Sequence, residues 1–439
     1  MNLRGANVLV VGMGKSGTAA AALLASHGAA VLATDRKPVE GLDVPFELQS
    51  PGVFEGRDLI VLSPGVPADL PELEAARQRG TPVIGEVELA GMFLKGPVLG
   101  ITGSNGKTTT TSLAGHVLRE CGVACQVGGN IGIAPAGMVA TSREDQWNVL
   151  ELSSFQLETT FTFHAQIGVA LNVTPNHLNR HHTLENYAAA KSRLFRNQTP
   201  DDFAVLNAGD PVCRSYASAG RGQAVWFAMA PRTAGVWFDG TNIIADGCVV
   251  LPAREVPIRG LHNVENVMAA VAACRLTGAD LPGIAAAVRT FQGVEHRLEY
   301  VATIRGVDFY NDSKATSVDA TAKALATFDH GVWLILGGED KGAPYTPLAE
   351  ELKRKSRAVL TIGAAAGKIA RDLDGAAPLI AAGTLDNAVR RAFAGAQPGD
   401  TILLAPACAS FDQFTSFEHR GRVFKEIVSQ LQREDMHGA

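Results

Sequence analysis

The stretch GITGSNGKTTT, residues 100–110, sets three glycines three apart before Lys107 and a run of threonines. Small residues between a strand-like PVLGI and a helix-like continuation let backbone N–H groups ring the β- and γ-phosphates of a nucleotide. Gly103, Ser104, Asn105 and Gly106 supply that loop, and Lys107 adds a point positive charge. Thr108, with Thr109 beside it, offers a hydroxyl to Mg2+. The strict phosphate-loop pattern has a glycine at position 101, where this chain has isoleucine. The roles just named need the lysine, the hydroxyl and the preceding strand rather than that glycine, so a nucleotide site is expected. A later segment, Gly363-Ala-Ala-Ala-Gly367-Lys368, imitates the pattern but runs into Ile369. Lacking the metal-binding hydroxyl, it is not expected to hold phosphate.

A second glycine cluster, Gly12-Met-Gly14-Lys15-Ser16-Gly17, follows the strand-like NVLVV, with Asp35 eighteen residues beyond Gly17. This is the context of a dinucleotide-type fingerprint, in which glycines let the backbone approach a diphosphate at a helix N-terminus. NAD(P), FAD and a UDP-sugar all present that chemistry. Glu151 ends the strand-like VLEL, where a carboxylate can serve as a further Mg2+ ligand. Asn172 to His181 form a dense polar cluster after another strand; His177 there can meet metal or substrate, or be a solvated loop histidine. Lys191, in AAAKS, reads by itself as a surface lysine. Toward the C-terminus, NDSKAT (311–316), LGGEDK (336–341) and APACAS (405–410) each end a strand-like run. Strand C-termini of an open α/β sheet line one crevice, so lysines and hydroxyls converge there on a small anion. Cys408 is read as a small buried residue and not as a nucleophile.

These groups need three sheets to position them. Blocks at 1–93, 94–294 and 295–439 alternate strand and helix, giving an α/β protein of three domains. The first and last read as Rossmann-like units and the middle as a mononucleotide-binding sheet. The region 222–258, with turns at Asp239-Gly240 and Asp246-Gly247, is expected to be a small antiparallel addition. Composition sets outer limits. The 439 residues are 46% hydrophobic and 19% charged, with net charge −5 and pI near 6.1, which does not suit a polyanion partner such as nucleic acid. Six scattered cysteines without a CxxC pair suit reduced thiols. The N-terminal apolar run is too short for a signal peptide or a membrane span, so a cytoplasmic protein is expected.

The strings GITGSNGKTTT, LELSSFQLE, NVTPNHLNRH, AAAKSRLF, HNVEN, EHRLE, NDSKATS and PACASFDQF occur in this order. On them the chain resembles the Mur ligases over its whole length. The loop is shared with the wider Mur and folylpolyglutamate ligase superfamily. LSSFQLE, DSKAT and ACASFDQF resemble the branch that adds D-glutamate to UDP-N-acetylmuramoyl-L-alanine, and the DNPR-like motif of the branch adding a diamino acid is absent.

The resemblance implies an ATP-dependent, cytoplasmic amide ligase of peptidoglycan precursor synthesis, working as a monomer without membrane or nucleic-acid partners. It passes through an acyl phosphate and releases ADP and phosphate. Gly14, Lys15, Ser16 and Gly17 would meet the diphosphate of the UDP-substrate, Asp35 and Arg36 the uracil, with Ser63, Pro64 and Gly65 nearby. Asn130 and His177 would lie toward the sugar end. Lys107 would hold ATP, Thr108 and Glu151 one Mg2+, and His177 with a carbamylated Lys191 a second. Asn263, Asn266, Arg297 and Asp312 would complete the ATP site, and Lys314, Thr316, Lys341, Ser410 and Phe417 the glutamate site. Because water must be excluded from an acyl phosphate, the third domain is expected to swing shut over ATP about a hinge near Gly293–His296. Asn176 and Asn179 stand where many relatives carry aspartate, which lowers negative charge beside the second metal. Rival readings are a ligase using L-glutamate or another carboxylate, a folylpolyglutamate-type ligase, an NAD-dependent dehydrogenase suggested by the first block alone, and a nucleotide-sensing protein without catalysis.

Overall fold

A computed structural model describes residues 3–438. Its strands form three sheets, and its contacts gather into two compact units, residues 1–257 with 261–291, and residues 258–260 with 292–439.

The first unit holds two sheets. Strands β1 (Asn7–Val11), β2 (Ala30–Asp35), β3 (Phe46–Leu48), β4 (Leu59–Leu62) and β5 (Val83–Gly85) make an all-parallel sheet of order β3-β2-β1-β4-β5. NVLVV and LIVL are continuous apolar runs because a parallel sheet is covered on both faces. Val8 and Val10 pack with the helix Lys15–Ser26 on one side, while Leu9 and Val11 pack with Phe54 and Leu73 on the other. The order reverses between β1 and β4, so the crevice for a ligand opens at the C-terminal ends of these two strands.

The second sheet has nine strands: β6 (Val98–Thr102), β7 (Cys125–Gly129), β8 (Trp147–Glu151), β9 (Ile167–Ala170), β10 (Phe203–Asn207), β11 (Gln223–Ala228), β12 (Val236–Phe238), β13 (Asn242–Ala245) and β14 (Cys248–Pro252). β6 is flanked by β8 and β9, so the phosphate loop leaves a central strand and Glu151 ends the strand beside it. The region 222–258 departs from the sequence expectation. β11 pairs parallel with β10, and only β12, β13 and β14 pair antiparallel. The helix Pro211–Ser215 and the turn after it make the β10–β11 connection long enough for a parallel crossover.

The second unit carries β15 (Glu299–Ile304), β16 (Val307–Asn311), β17 (Val332–Gly337), β18 (Ser356–Ile362), β19 (Leu379–Gly383) and β20 (Thr401–Leu404), in the order β15-β16-β20-β17-β18-β19. Only β15 is antiparallel, joined to β16 by a hairpin. β16, β20 and β17 are neighbours, so NDSKAT, APACAS and LGGEDK leave adjacent strand ends. The helix Phe417–Gly438 packs Phe424, Val428 and Leu431 onto this sheet.

Candidate active site

In the first unit a cavity of about 500 Å³ opens where the strand order reverses. Gly14, Lys15, Ser16, Asp35, Arg36, Ser63, Pro64, Gly65 and Asn130 all line it. The helix Lys15–Ser26 has no side-chain cap, so its first amides are free for an anion. Gly17 does not line the cavity; a Cβ there would sit 1.9 Å from Gly12 O, so this glycine serves close helix–strand packing. One Asp35 carboxylate oxygen accepts from Met13 N at 2.7 Å and fixes the glycine turn, leaving the other for a ligand or the Lys37 amide at 3.4 Å. Gln49 and Gln156 also line the cavity. Sequence reasoning missed both, although Gln156 lies within LSSFQLE and closes a capping box with Ser153.

Asn130 carries this cavity to the second sheet. Its Nδ2 donates to Glu151 Oε1 at 2.8 Å, while Glu151 Oε2 is buried without a hydrogen-bond partner. The phosphate loop lies one strand away. Its backbone is left-handed at Gly106 (φ 83°), where a Cβ would fall 2.2 Å from Asn266 Oδ1. Asn266 in turn donates to Asn263 Oδ1 at 3.0 Å, so the helix Leu261–Leu276 braces the loop from outside. Ser104 N and Asn105 N donate to the backbone and side-chain oxygens of Asn172, both at 2.8 Å. Lys107 Nζ folds back onto Gly103 O at 2.9 Å and Ser104 O at 3.1 Å. Thr108 and Thr109 are buried at the start of the helix Lys107–Glu120.

Lys191 corrects its bland reading. Tyr187, Ala190 and Lys191 share one face of the helix Leu184–Ser192, and Lys191 is 1% exposed. Its Nζ donates to Gly103 O at 2.8 Å and sits 4.5 Å from the centre of the Tyr187 ring. Burial first, then the neighbouring Lys107, hold its pKa well below the ordinary lysine value. His177 is exposed, and it lies not at a strand end but seven residues beyond Ala170, in a left-handed conformation (φ 54°). Partial desolvation of its ring, then the charges of Lys107 and Lys191, lower its pKa. The segment is held by Arg180, which donates to Glu158 and, at 2.7 Å, to Val66 O, and by His181 Nε2 against Ser154 Oγ at 3.0 Å. Asn176 is exposed and accepts from the His177 amide; the side chain of Asn179 lies outside the described residues.

The donor set suits Mg2+ at one position. A buried carboxylate oxygen without a partner and a hydroxyl are hard oxygen ligands, and Mg2+ takes the rest from phosphates and water. Among the described residues no three His, Cys, Asp or Glu side chains gather as a metal cluster.

In the second unit, Asp312 is buried beside Arg297, and its pKa is pushed up to about 6, burial outweighing the arginine. Lys341 Nζ donates to Thr316 O at 3.0 Å, and Lys314 Nζ lies 5.9 Å from the Phe417 ring centre. Ser410 is buried. Thus all five residues expected to take the amino acid come from three adjacent strand-end loops and the following helix. Asn263 and Asn266 belong to the first unit, Arg297 and Asp312 to the second. His296, which sequence reasoning used only to mark a hinge, is 3% exposed, and its Nδ1 accepts from Asn311 Nδ2 at 3.0 Å. Lys368, in the imitation loop, is taken by Ala343 O at 2.6 Å and Asp340. Cys408 is fully buried against Tyr345, and all six cysteines are free thiols.

A protein of Solibacter usitatus named UDP-N-acetylmuramoylalanine–D-glutamate ligase is 60% identical over 442 residues, covering 99% of this chain and 100% of its own. The chain belongs to the Mur ligase family. Family models described as the MurD-like N-terminal domain, the Mur ligase middle domain and the Mur ligase glutamate ligase domain match residues 6–85, 101–274 and 296–408 of this Mur ligase. A protein of the same name from Acidobacterium capsulatum is 52% identical, covering 98% of this chain and 97% of its own. The solved UDP-N-acetylmuramate–alanine ligase of Thermotoga maritima shares the fold at a TM-score of 0.62 and 20% identity, over 97% of this Mur ligase and 99% of its own chain. No helix of the described residues is long and apolar enough to cross a membrane.

Proposed function

We propose that this Mur ligase joins the terminal carboxylate of UDP-N-acetylmuramoyl-L-alanine to the amine of D-glutamate, coupled to cleavage of ATP to ADP and phosphate. The observation that carries the reading is the Asn130–Glu151 bond, which ties the cavity to the strand beside the one that carries the phosphate loop. A substrate anchored by its UDP end in that cavity points its far carboxylate toward the γ-phosphate. The names and identities of the Solibacter and Acidobacterium relatives agree with it.

The substrate carboxylate attacks the γ-phosphorus of ATP in line, the bond to the β-bridging oxygen breaks, and an acyl phosphate forms with ADP as leaving group. The amine of D-glutamate then adds to the acyl carbon; a tetrahedral intermediate loses phosphate and a proton to leave the amide. Lys107 exchanges its two loop carbonyls for phosphate oxygens, so its charge moves only a short way to meet the transferring group. Glu151 Oε2 and the Thr108 hydroxyl would hold Mg2+, whose positive charge would offset that of the phosphates. Asn130 keeps the Glu151 carboxylate aimed. Arg297 and Asp312 are assigned to the nucleotide, and Lys314, Thr316, Lys341, Ser410 and Phe417 to the amino acid.

Lys191 completes the reading. Burial keeps its amine neutral more readily than an exposed lysine, and a neutral amine adds CO2, losing one proton to give a carbamate. The amine would then become an anionic oxygen ligand beside His177, able to hold a second Mg2+. The test is ADP release with UDP-N-acetylmuramoyl-L-alanine and either D- or L-glutamate. Turnover only with D-glutamate, abolished by Lys107→Ala, is expected; full turnover in Lys107→Ala, or a preference for L-glutamate, overturns the assignment.

A further inference from the structure

Arg420 is the largest of the fully buried side chains, at 0% exposure, and nothing assigned so far uses it. It is the fourth residue of the helix Phe417–Gly438 and lies on the same stripe as Phe424, Ile427 and Val428. A buried guanidinium normally faces a carboxylate, since the desolvation of a lone charge is severe. Here, among the described residues, no carboxylate pairs with it. Nε donates to Ser313 Oγ at 3.0 Å and Nη2 to Ser313 O at 2.9 Å. Nη1 donates to Cys408 O and Ala409 O, each at 3.3 Å, and Nη2 also to Cys408 O at 3.2 Å. The cation is therefore solvated by oxygens of two loops, the one after β16 and the one after β20.

Those loops carry the proposed amino-acid ligands. Lys314 follows Ser313 directly and Thr316 lies three residues on, while Ser410 follows Ala409. The third loop, after β17, is locked to the same point: Glu339 and Ala409 exchange backbone hydrogen bonds at 3.0 and 3.2 Å, and a Cβ on Gly338 would lie 3.2 Å from Arg420 Nη1. Ser313 Oγ also donates to Phe417 O at 2.8 Å, joining the start of the helix to the first loop. A planar fork with five donors fixes distances in a way that a flexible ammonium does not.

We propose that Arg420 is a positioning residue that sets the span of the amino-acid pocket, so that a five-carbon dicarboxylic amino acid is accepted and one shorter or longer by a methylene is refused. The inference rests on the glutamate-adding reading above. Lys314 and Thr316 stand on one of the tied loops and Ser410 on the other, so the side chain that fixes the separation of the loops determines which chain length reaches both. Discrimination of one methylene by a fixed pocket runs to about 10–200-fold, and a loosened pocket gives up part of it.

The test compares wild type, Arg420→Lys, Arg420→Met and Ser313→Ala by steady-state ADP release with D-glutamate, D-aspartate and D-2-aminoadipate. KM is also measured for ATP and the UDP-substrate, and folding is checked by near-UV circular dichroism. Arg420→Lys keeps the charge but loses the fork; it is expected to raise KM for D-glutamate about tenfold and to narrow the glutamate-to-aspartate kcat/KM ratio about tenfold. KM for ATP and for the UDP-substrate should stay within about twofold. Ser313→Ala, which removes one acceptor and is small enough to fold, should shift the same ratio in the same direction by less. If both arginine variants fail to fold, Ser313→Ala alone decides. An unchanged ratio in the folded variants, or a parallel rise of all three KM values, overturns the inference. A wild type that does not use D-glutamate at all overturns the functional reading instead.

Discussion

Glu86 gives the most direct quantitative check on the first unit. It opens the helix Glu86–Gly91 and is 1% exposed; Oε1 accepts from Ala136 N at 2.6 Å, whereas Oε2 is buried without a partner. Burial pushes its carboxyl from 4.5 up to about 7, only partly offset by the Ala136 amide. That displacement corresponds to about 3 kcal/mol between the protonated and ionised forms. Because the folded value lies above the unfolded one, the folded protein binds the proton more tightly between pH 4.5 and 7. Stability from this group is full below pH 4.5 and is lost as pH rises through about 7. Glu86→Gln keeps an acceptor for Ala136 N and carries no charge at any pH. The stability of the glutamine variant relative to wild type should therefore grow by about 3 kcal/mol from pH 4.5 to 8. The assay is urea unfolding followed by tryptophan fluorescence. Trp147, Trp226 and Trp237 lie in the first unit and Trp333 in the second, so a Trp333→Phe background makes the signal report the first unit alone. A difference that is flat with pH, or an advantage of the glutamine variant over wild type that is smaller at pH 8 than at pH 5, would refute the reasoning.

Other outcomes follow from the same geometry. Lys191→Ala should lose most activity and regain part of it with short-chain carboxylic acids, and wild-type turnover should fall on thorough removal of CO2; no rescue and no CO2 dependence would argue against a carbamate. Gly106→Ala should cost about 1–2 kcal/mol from backbone strain alone and abolish ATP binding, because its Cβ collides with Asn266; calorimetric titration with ATP reads it directly. Ala407 is left-handed at φ 58°, so Ala407→Gly should raise thermal stability by roughly 0.5–1 kcal/mol; a loss of stability measured by calorimetry would show that the conformation is not strained.

Much of the site could be read from the chain because its parts are made of backbone. The two glycine loops need small residues where strands pass into helices, and that requirement is written locally. Hydroxyls and carboxylates at strand ends are similarly local. What escaped was set by distant packing. Lys191 looks like a surface residue in AAAKS, and its burial comes from the loop against which its helix lies. Arg420 hides in FEHRGRVFKEIV, a helix rich in charge; its place three residues after Phe417 and four before Phe424, on the apolar stripe, was the available signal. The hairpin β15–β16 turns at Arg305-Gly306, both with positive φ, so the arginine stood where an asparagine would have announced the turn. β11 read as antiparallel because its alternation is that of any half-covered strand, and the direction depends on the crossover before it.

The placement of Arg420 also imposes an order in time. Every strand of the second unit precedes the helix that carries it. A nascent chain can pair all six strands, and bring Lys314, Thr316, Lys341 and Ser410 to the ends of three of them, before the residue that ties their loops together has left the ribosome. Until then the loops after β17 and β20 share their Glu339–Ala409 backbone bonds, but the loop after β16 lacks its tie to them through Arg420.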